Sequence, residues 1–397
     1  MSEVTRNVGG NKCQTHFFEC ALCARTSPPS QTYTCPDCGE PLIIAYDYES
    51  VRGKFHSTLA ERDALSVWRY SDLLPVAREN AVTIAEGGTG LPKSKRLSKD
   101  IGLPELFFKN EGQNPTGSFK DRGMTVAITR AVEISAETVL CASTGNTSAS
   151  MSAYAAKAEL RAIVLIPKGR IAKGKLAQAI VHGARITEVN GNFDAALERA
   201  RKMTGKGGLF LANSINPYRL EGQKTMAFEI FEQLNGKTPD YVFLPVGNAG
   251  NICALWKGFK ELTRLGITKN APRMIGVQAS GAAPIAQAFS KGANEISVWK
   301  NPETYASAIR IGAPARWRGA LAAARESGGA IVKVSDREIA RSQRLLADHE
   351  GIFAEPASAS SLAGLIKYKE TIKVNETDTV VCVVTGHGLK DQKSVFQ

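Results

Sequence analysis

The sequence predicts an α/β fold of two open, mostly parallel sheets with helices on both faces, preceded by a small cysteine ribbon. Three observations predict it. From about Glu105 onward, strand-like apolar runs alternate with helical patterns across short Gly/Pro/Asn connections, which implies βα units. The strand-like runs are almost continuously apolar, as in Val380-Val381-Cys382-Val383-Val384, which fits strands covered on both faces. Ahead of them, Cys20-x-x-Cys23 and Cys35-x-x-Cys38 form two pairs separated by eleven residues.

The ribbon comes first. Four thiolates at this spacing can close tetrahedrally around one Zn²⁺, and so short a segment lacks the apolar residues to fold unaided. Pro36 and Gly39 suit the tight turn of a knuckle. Cys13 and His16 form a looser pair and read as bystanders. The alternatives are coincidental reduced pairs, or disulfides in an oxidising setting.

Strands are expected at 106–109, 138–142, 162–166, 186–189, 241–245, 273–277 and 379–384. Helices are expected at 125–133, 148–158, 174–181, 193–203, 221–234 and 252–265. These are more βα units than one sheet needs, so two sheets with a cleft between them are expected, with ligands beyond the strand C-terminal ends. The expected division is a ribbon at 1–48, a large domain from 49–105 and 218–397, and a small α/β domain at 106–217.

The chain has 397 residues, 43% hydrophobic, with a formal net charge of +12. No apolar run approaches the about 18 residues of a membrane span, and no basic-then-apolar leader opens the chain. A cytoplasmic protein is expected, without membrane or nucleic-acid partners, because the basic residues form no tail and no aromatic-interleaved patch. Cys141, Cys253 and Cys382 read as buried small hydrophobes.

Four stretches carry chemistry. In Asn114-Pro115-Thr116-Gly117-Ser118-Phe119-Lys120-Asp121, an amine sits where a polar turn enters a helix; the dipole and burial there would lower its pKa and make it nucleophilic. Ser143-Thr144-Gly145-Asn146-Thr147-Ser148 offers donors at a helix start that suit a carboxylate. Gly247-Asn248-Ala249-Gly250-Asn251 follows a strand and precedes a helix. It lacks the third glycine of a dinucleotide fingerprint and the Gly-Lys-Ser/Thr of a nucleotide loop, so a single monophosphate fits it. Thr385, in Thr385-Gly386-His387-Gly388-Leu389-Lys390-Asp391, places a hydroxyl at a strand end. Each stretch alone has an ordinary structural reading. Together they supply what pyridoxal 5'-phosphate needs: an amine, an anion loop, a phosphate cradle and a hydroxyl for the ring nitrogen.

With these residues in view, the chain resembles the threonine synthases among the tryptophan-synthase-β-like, fold type II pyridoxal-phosphate enzymes. PTGSFKDRGM, ASTGNTSAS, NSINPYRLEGQKT, PVGNAGN, EPASAS and TGHGLKD occur in family order. The resemblance implies a lyase converting O-phospho-L-homoserine and water to L-threonine and phosphate, commonly as a homodimer. It implies that Lys120 is the Schiff-base lysine, that Asn146 meets the cofactor's ring oxygen, that Gly247, Asn248, Ala249, Gly250 and Asn251 hold its phosphate, and that Thr385 meets the pyridine nitrogen. Ser143, Thr144 and Thr147 would meet the substrate, while Asn213, Ser214 and Arg219 would bind the substrate's own phosphate. One departure is Glu86-Gly87-Gly88-Thr89-Gly90-Leu91-Pro92, whose proline is displaced from the family's Gly-x-Thr-Pro-Leu, so Thr89 is given no substrate role.

Three other readings stay open on sequence. A cysteate-synthase-like use of O-phosphoserine would need both phosphate sites, and a threonine dehydratase only one. A zinc-ribbon nucleic-acid binder would draw on the ribbon and the positive charge.

Overall fold

The computed structural model describes residues 16–61, 64–169, 173–191, 193–203 and 208–395. Its first body is an antiparallel sheet in the order β2-β1-β3, built from β1 (His16–Glu19), β2 (Thr26–Ser27) and β3 (Ile43–Tyr46). Phe18 stands opposite Ile44 in this sheet and both are fully buried. That apolar face has too little of its own to cover it. It is covered by the rest of the chain, with Phe18 set edge-on to Tyr218 and Tyr33 edge-on to Phe210. The ribbon's buried residues are therefore continuous with the main core. Cys13 lies outside the described residues.

The chain continues through α1 (Tyr48–Ala60) and α2 (Arg96–Ile101) to β4 (Leu106–Asn110) and α3 (Lys120–Glu133). A run of βα units follows: β5 (Thr138–Ala142), α4 (Asn146–Lys157), β6 (Arg161–Pro167), α5 (Lys173–Val181), β7 (Arg185–Val189), α6 (Phe193–Met203) and β8 (Leu209–Leu211). These four strands form a parallel sheet in the order β7-β6-β5-β8. The chain returns through α7 (Pro217–Gln233), β9 (Tyr241–Pro245), α8 (Gly250–Arg264), β10 (Arg273–Ala279), α9 (Pro284–Ser290), α10 (Trp317–Glu326), β11 (Ala330–Val334), α11 (Asp336–Glu350), α12 (Pro356–Ile372) and β12 (Val380–Val384). The larger sheet is parallel throughout, in the order β11-β10-β9-β12-β4.

The expected two-sheet α/β architecture is present. One placement differs: β4, expected to open the small domain, pairs with β12 in the larger sheet, Val380 opposite Leu106. Its Phe108 is fully buried in that sheet's core with Phe243 and Cys382, which an edge position on the smaller sheet would not provide. We propose that the boundary of the small domain falls after β4.

Two features of α3 and α7 position the site. Gly123 and Gly222 let the helices touch backbone to backbone: a Cβ on Gly222 would lie 1.7 Å from Arg122 O, and one on Gly123 would lie 2.5 Å from Arg219 O. Only glycine permits this approach. It brings the first turns of both helices together, one beginning with Lys120 and the other carrying Arg219. The second feature is a fully buried charge cluster. Arg122 donates to Glu111 (Nε, 2.6 Å; Nη2, 2.8 Å) and to Glu229 (Nη1 and Nη2, both 2.7 Å), and Lys109 Nζ donates to Glu229 at 2.8 Å. Two cations face two anions, and Thr89 is part of the cluster, donating to Glu111 at 2.7 Å and accepting from Arg122 at 3.1 Å. This gives Thr89 a structural position, in agreement with leaving it out of the substrate site.

Candidate active site

Lys120 is the first residue of α3, with its Nζ 4.0 Å above the centre of the Phe119 ring. The turn before it is fixed from two sides. Asp121 accepts from Thr116 N (2.7 Å), Thr116 Oγ1 (2.7 Å) and Ser150 Oγ (2.6 Å), and burial pushes its carboxyl up to about 6. On the other side the turn is stitched to the Thr385 loop: Phe119 N donates to Thr385 O at 3.0 Å and His387 N to Gly117 O at 2.9 Å. Gly117 has φ +82° and faces Lys390, so the turn both needs the left-handed region and lies close to a neighbour. Lost hydration, with the positive charge of Arg219 adding to it, lowers the Lys120 amine to about 7.

The Gly247–Asn251 turn has the shape of an anion cradle. Ala249 takes φ +64° at the N-cap of α8, a fifteen-residue helix whose first amides have no intrahelical partner. Among the described residues, nothing accepts from the amides of Gly247, Asn248 or Ala249. Both side-chain atoms of Asn251 are buried without a partner, and so is Gln223 Oε1, which lies 3.9 Å from where a Gly250 Cβ would stand. The turn itself is held by Asn248, whose O accepts from Arg316 N (3.3 Å) and whose Oδ1 accepts from Ala315 N (3.4 Å).

A second candidate anion site begins at the end of β8. Asn213 clamps the main chain of Ala142, accepting from its N and donating to its O, both at 3.0 Å. Asn216 caps α7 by accepting from Tyr218 N at 3.0 Å, with Pro217 at the first helical position. Arg219 is 2% exposed. Its Nη1 donates to Ala212 O at 3.1 Å, and its Nε is buried without a partner. Burial, with Arg316 contributing, holds its guanidinium down to about 10. Among the described residues no carboxylate pairs with Arg219, and an unpaired buried charge is costly without a counter-ion. Ser214 is half-buried in the same loop. Asn213 thus holds the loop's shape, while Arg219 has hydrogen-bonding capacity to spare.

Residues 143–147 are half-buried at the start of α4. Asn146 Nδ2 donates to both oxygens of Glu355 (3.1 and 3.0 Å), and Ser143 Oγ accepts from Gly145 N at 3.2 Å. Thr385 Oγ1 lies 2.9 Å from Ser358 Oγ, which also accepts from Gly386 N at 2.8 Å. Glu355 and Ser358 are therefore site neighbours that the sequence did not assign. Their signal was the EPASAS stretch, which was noted but given no role. Glu355 is 4% exposed, and burial raises its carboxyl, opposed by Asn146, Lys390 and Lys120.

Lys120, Arg219, Asn146 and Thr385 thus fall into one linked neighbourhood, joined by the stitched turn, the helix crossing and Glu355. A pyridoxal phosphate fits it: the cradle has open amides and orphaned polar atoms for a dianion, and the amine is held near neutrality. At the ribbon, all four sulfurs of Cys20, Cys23, Cys35 and Cys38 lie within 4.8 Å of one another. The close pairs are 3.4, 3.6 and 3.9 Å apart. A tetrahedral zinc with bonds of about 2.3 Å sets its sulfurs about 3.8 Å apart, so the cluster fits that ion. His16 faces away, with Nε2 3.5 Å from Tyr218 Oη.

Comparison with known proteins agrees with this geometry. The family model described as "Pyridoxal-phosphate dependent enzyme" matches residues 82–386. The chain is 52% identical to a threonine synthase of Methanocaldococcus jannaschii over 95% of this chain and 94% of that protein. It is 51% identical to one of Methanosarcina acetivorans (96% and 94% covered) and 53% identical to one of Mycobacterium tuberculosis (83% and 89%). Among solved structures, maize serine racemase aligns with a TM-score of 0.67 at 22% identity, covering 78% of this chain and 90% of that one. A threonine deaminase isoform from Solanum lycopersicum aligns at 0.66 and 22% identity, covering 86% and 85%. These two structures speak to the fold alone.

Proposed function

The chain belongs to the pyridoxal-phosphate dependent enzyme family, and from that premise we propose that it catalyses the threonine synthase reaction: O-phospho-L-homoserine and water give L-threonine and phosphate. What supports this reading is two separate sets of unpartnered buried polar groups suited to anions, at Gly247–Asn251 and at Arg219. A dehydratase acting on free threonine needs only the first. The identity to threonine synthases over nearly the whole chain supports the same reading.

The cofactor, when bound, supplies an electron sink for charge developing on the substrate carbons. The chain does the rest. Lys120 would hold the cofactor, and its amine, lowered to about 7 by burial and the Arg219 charge, is suited to act as a base at neutral pH. Its Nζ takes the proton from Cα and returns protons along the side chain. Arg219, with Ser214 beside it, holds the γ-phosphate and stabilises it as the Cγ–O bond breaks. Ser143, Thr144 and Thr147 dock the substrate carboxylate at the start of α4. Asn146, held by Glu355, would be the donor to the cofactor's ring oxygen, and Thr385, with Ser358 at its hydroxyl, would meet the ring nitrogen. Water adds at Cβ and completes the hydroxyl.

Purified protein supplied with phosphohomoserine should release phosphate and threonine in equal amounts. Phosphate released only from O-phosphoserine, or 2-oxobutyrate formed from threonine as the main product, would replace this reading. Among the described residues no helix is long and apolar enough to cross a membrane. We propose a cytoplasmic homodimer, which light scattering on the purified protein tests for subunit number.

A further inference from the structure

The ribbon packs against several parts of the core, Arg318 through Glu40 among them, and its contacts include both flanks of the segment read as the substrate-phosphate loop. Four contacts show this. Phe18 packs edge-on against Tyr218, with ring centroids 5.9 Å apart, and His16 reaches the hydroxyl of the same tyrosine. Tyr33 packs on Phe210 in the middle of β8. Tyr46 Oη donates to the buried Glu221 at 2.6 Å. The fourth contact runs through Arg316, which is 4% exposed. Its Nη2 donates to Leu42 O of the ribbon (3.1 Å) and to Ile215 O (2.9 Å), while its Nε donates to Ser214 O (3.2 Å). Residues 210, 214, 215, 218 and 221 bracket Arg219 from both sides.

The contacts are of a kind that fixes shape. A guanidinium that donates to three main-chain carbonyls sets the path of all three. Burial lowers its pKa and the carboxylates of Glu40 and Glu221 partly oppose this, while its charge in turn helps to lower the pKa of Arg219. By contrast, the cofactor's cradle touches Arg316 only through main chain, Arg316 N to Asn248 O. Changing the Arg316 side chain should therefore loosen one anion site and leave the other.

We propose that the zinc ribbon and Arg316 together hold the Asn213–Arg219 segment in its phosphate-binding shape, Arg316 acting as a positioning residue and the ribbon as the outer wall. This rests on the reading of that segment as the substrate-phosphate site. Affinity for the substrate's phosphate then depends on the ribbon being folded around its metal, and cofactor retention does not.

The test measures binding of inorganic phosphate to the holoenzyme by calorimetry, with KM and kcat for phosphohomoserine, retention of the cofactor's visible band on dialysis, and thermal midpoint. Arg316→Gln should weaken phosphate binding about tenfold or more, raise KM more than it lowers kcat, and keep the visible band. Arg316→Lys, which keeps the charge but not the planar fork, should fall between. Cys23→Ser, or zinc extraction followed by metal analysis, should weaken phosphate binding in the same direction. Unchanged phosphate affinity in Arg316→Gln, or cofactor loss in parallel with phosphate loss, overturns the proposal. Arg219→Lys is the control. If it too leaves phosphate binding unaltered, the reading of the site itself fails; if it weakens binding while the Arg316 and ribbon variants do not, only the ribbon's role fails. A Cys23→Ser protein that does not fold leaves the two Arg316 variants to decide.

Discussion

Lys120 and Arg122 are two residues apart on α3 and sit in opposite surroundings. Arg122 points into a closed cluster where Glu111 and Glu229 answer it and Lys109. Lys120 feels the charge of Arg219, which in turn feels that of Arg316, and the counter-charge of Glu355 opposes the first of these at Lys120. The first group is already neutral and needs nothing from outside. The second gathers positive charge around a space, a pattern that stabilises arriving phosphates. Buried charges with partners build the frame, and buried charges without them mark where ligands bind.

Lys120→Ala tests the open group most severely. Turnover should fall on the order of 10⁴-fold, and the visible absorbance of lysine-bound cofactor should be absent. A variant with an unchanged spectrum removes the assignment, and borohydride trapping with peptide mapping should place the label at position 120. Next comes Glu229→Ala in the closed group. It leaves Lys109 without its carboxylate and Arg122 with Glu111 alone, and should cost about 3–5 kcal/mol of unfolding free energy in a denaturant titration. A cost below about 1 kcal/mol would mean that the cluster does not hold the frame.

Arg219→Ala separates the groups directly. Loss of one charged donor should raise KM for phosphohomoserine by about 2–4 kcal/mol in binding terms. Its visible band should be retained and its stability barely lowered, because no carboxylate loses its partner. A large stability loss would place Arg219 with the frame.

The smallest effect is on pH. The Lys120 amine works as a base only when neutral, and burial with the Arg219 charge sets its pKa near 7. Turnover should therefore fall as pH drops below about 7 and level off above it. Arg219→Met removes a neighbouring positive charge, so protonation becomes easier and the acid limb should move to higher pH. A limb that stays in place would show that burial alone sets the value.

How much of this was legible in the sequence follows from the range of the interactions. The strands buried on both faces announced themselves as apolar runs, β12 being the clearest. β8 has three residues, and β11 includes Lys333 with half-buried neighbours, so neither made a pattern strong enough to read. α11 carries a capping box, Ser335 with Glu338, that local inspection could have found. Which sheet β4 joins was not legible, because both sheets use the same kind of strand and the choice rests on pairing with distant β12. The site divides the same way. Lys120, the two anion loops and the four cysteines are set by local spacing. Glu355 meets Asn146 across 209 residues, and Arg316 meets Ile215 across 101, so only the folded chain assigns them partners.

The place of β12 has a consequence for how the protein is made. It is the last of its sheet's strands in chain order, yet it lies inside that sheet, between β9 and β4. Until it emerges from the ribosome, β4 is without its neighbour and the Lys120 turn is without the carbonyl of Thr385 that pins it. A nascent chain interrupted before this strand can carry the ribbon and most of its helices while being unable to take up the vitamin. Coenzyme capture should therefore await β12, and a chain truncated before it should stay colourless when supplied with the vitamin.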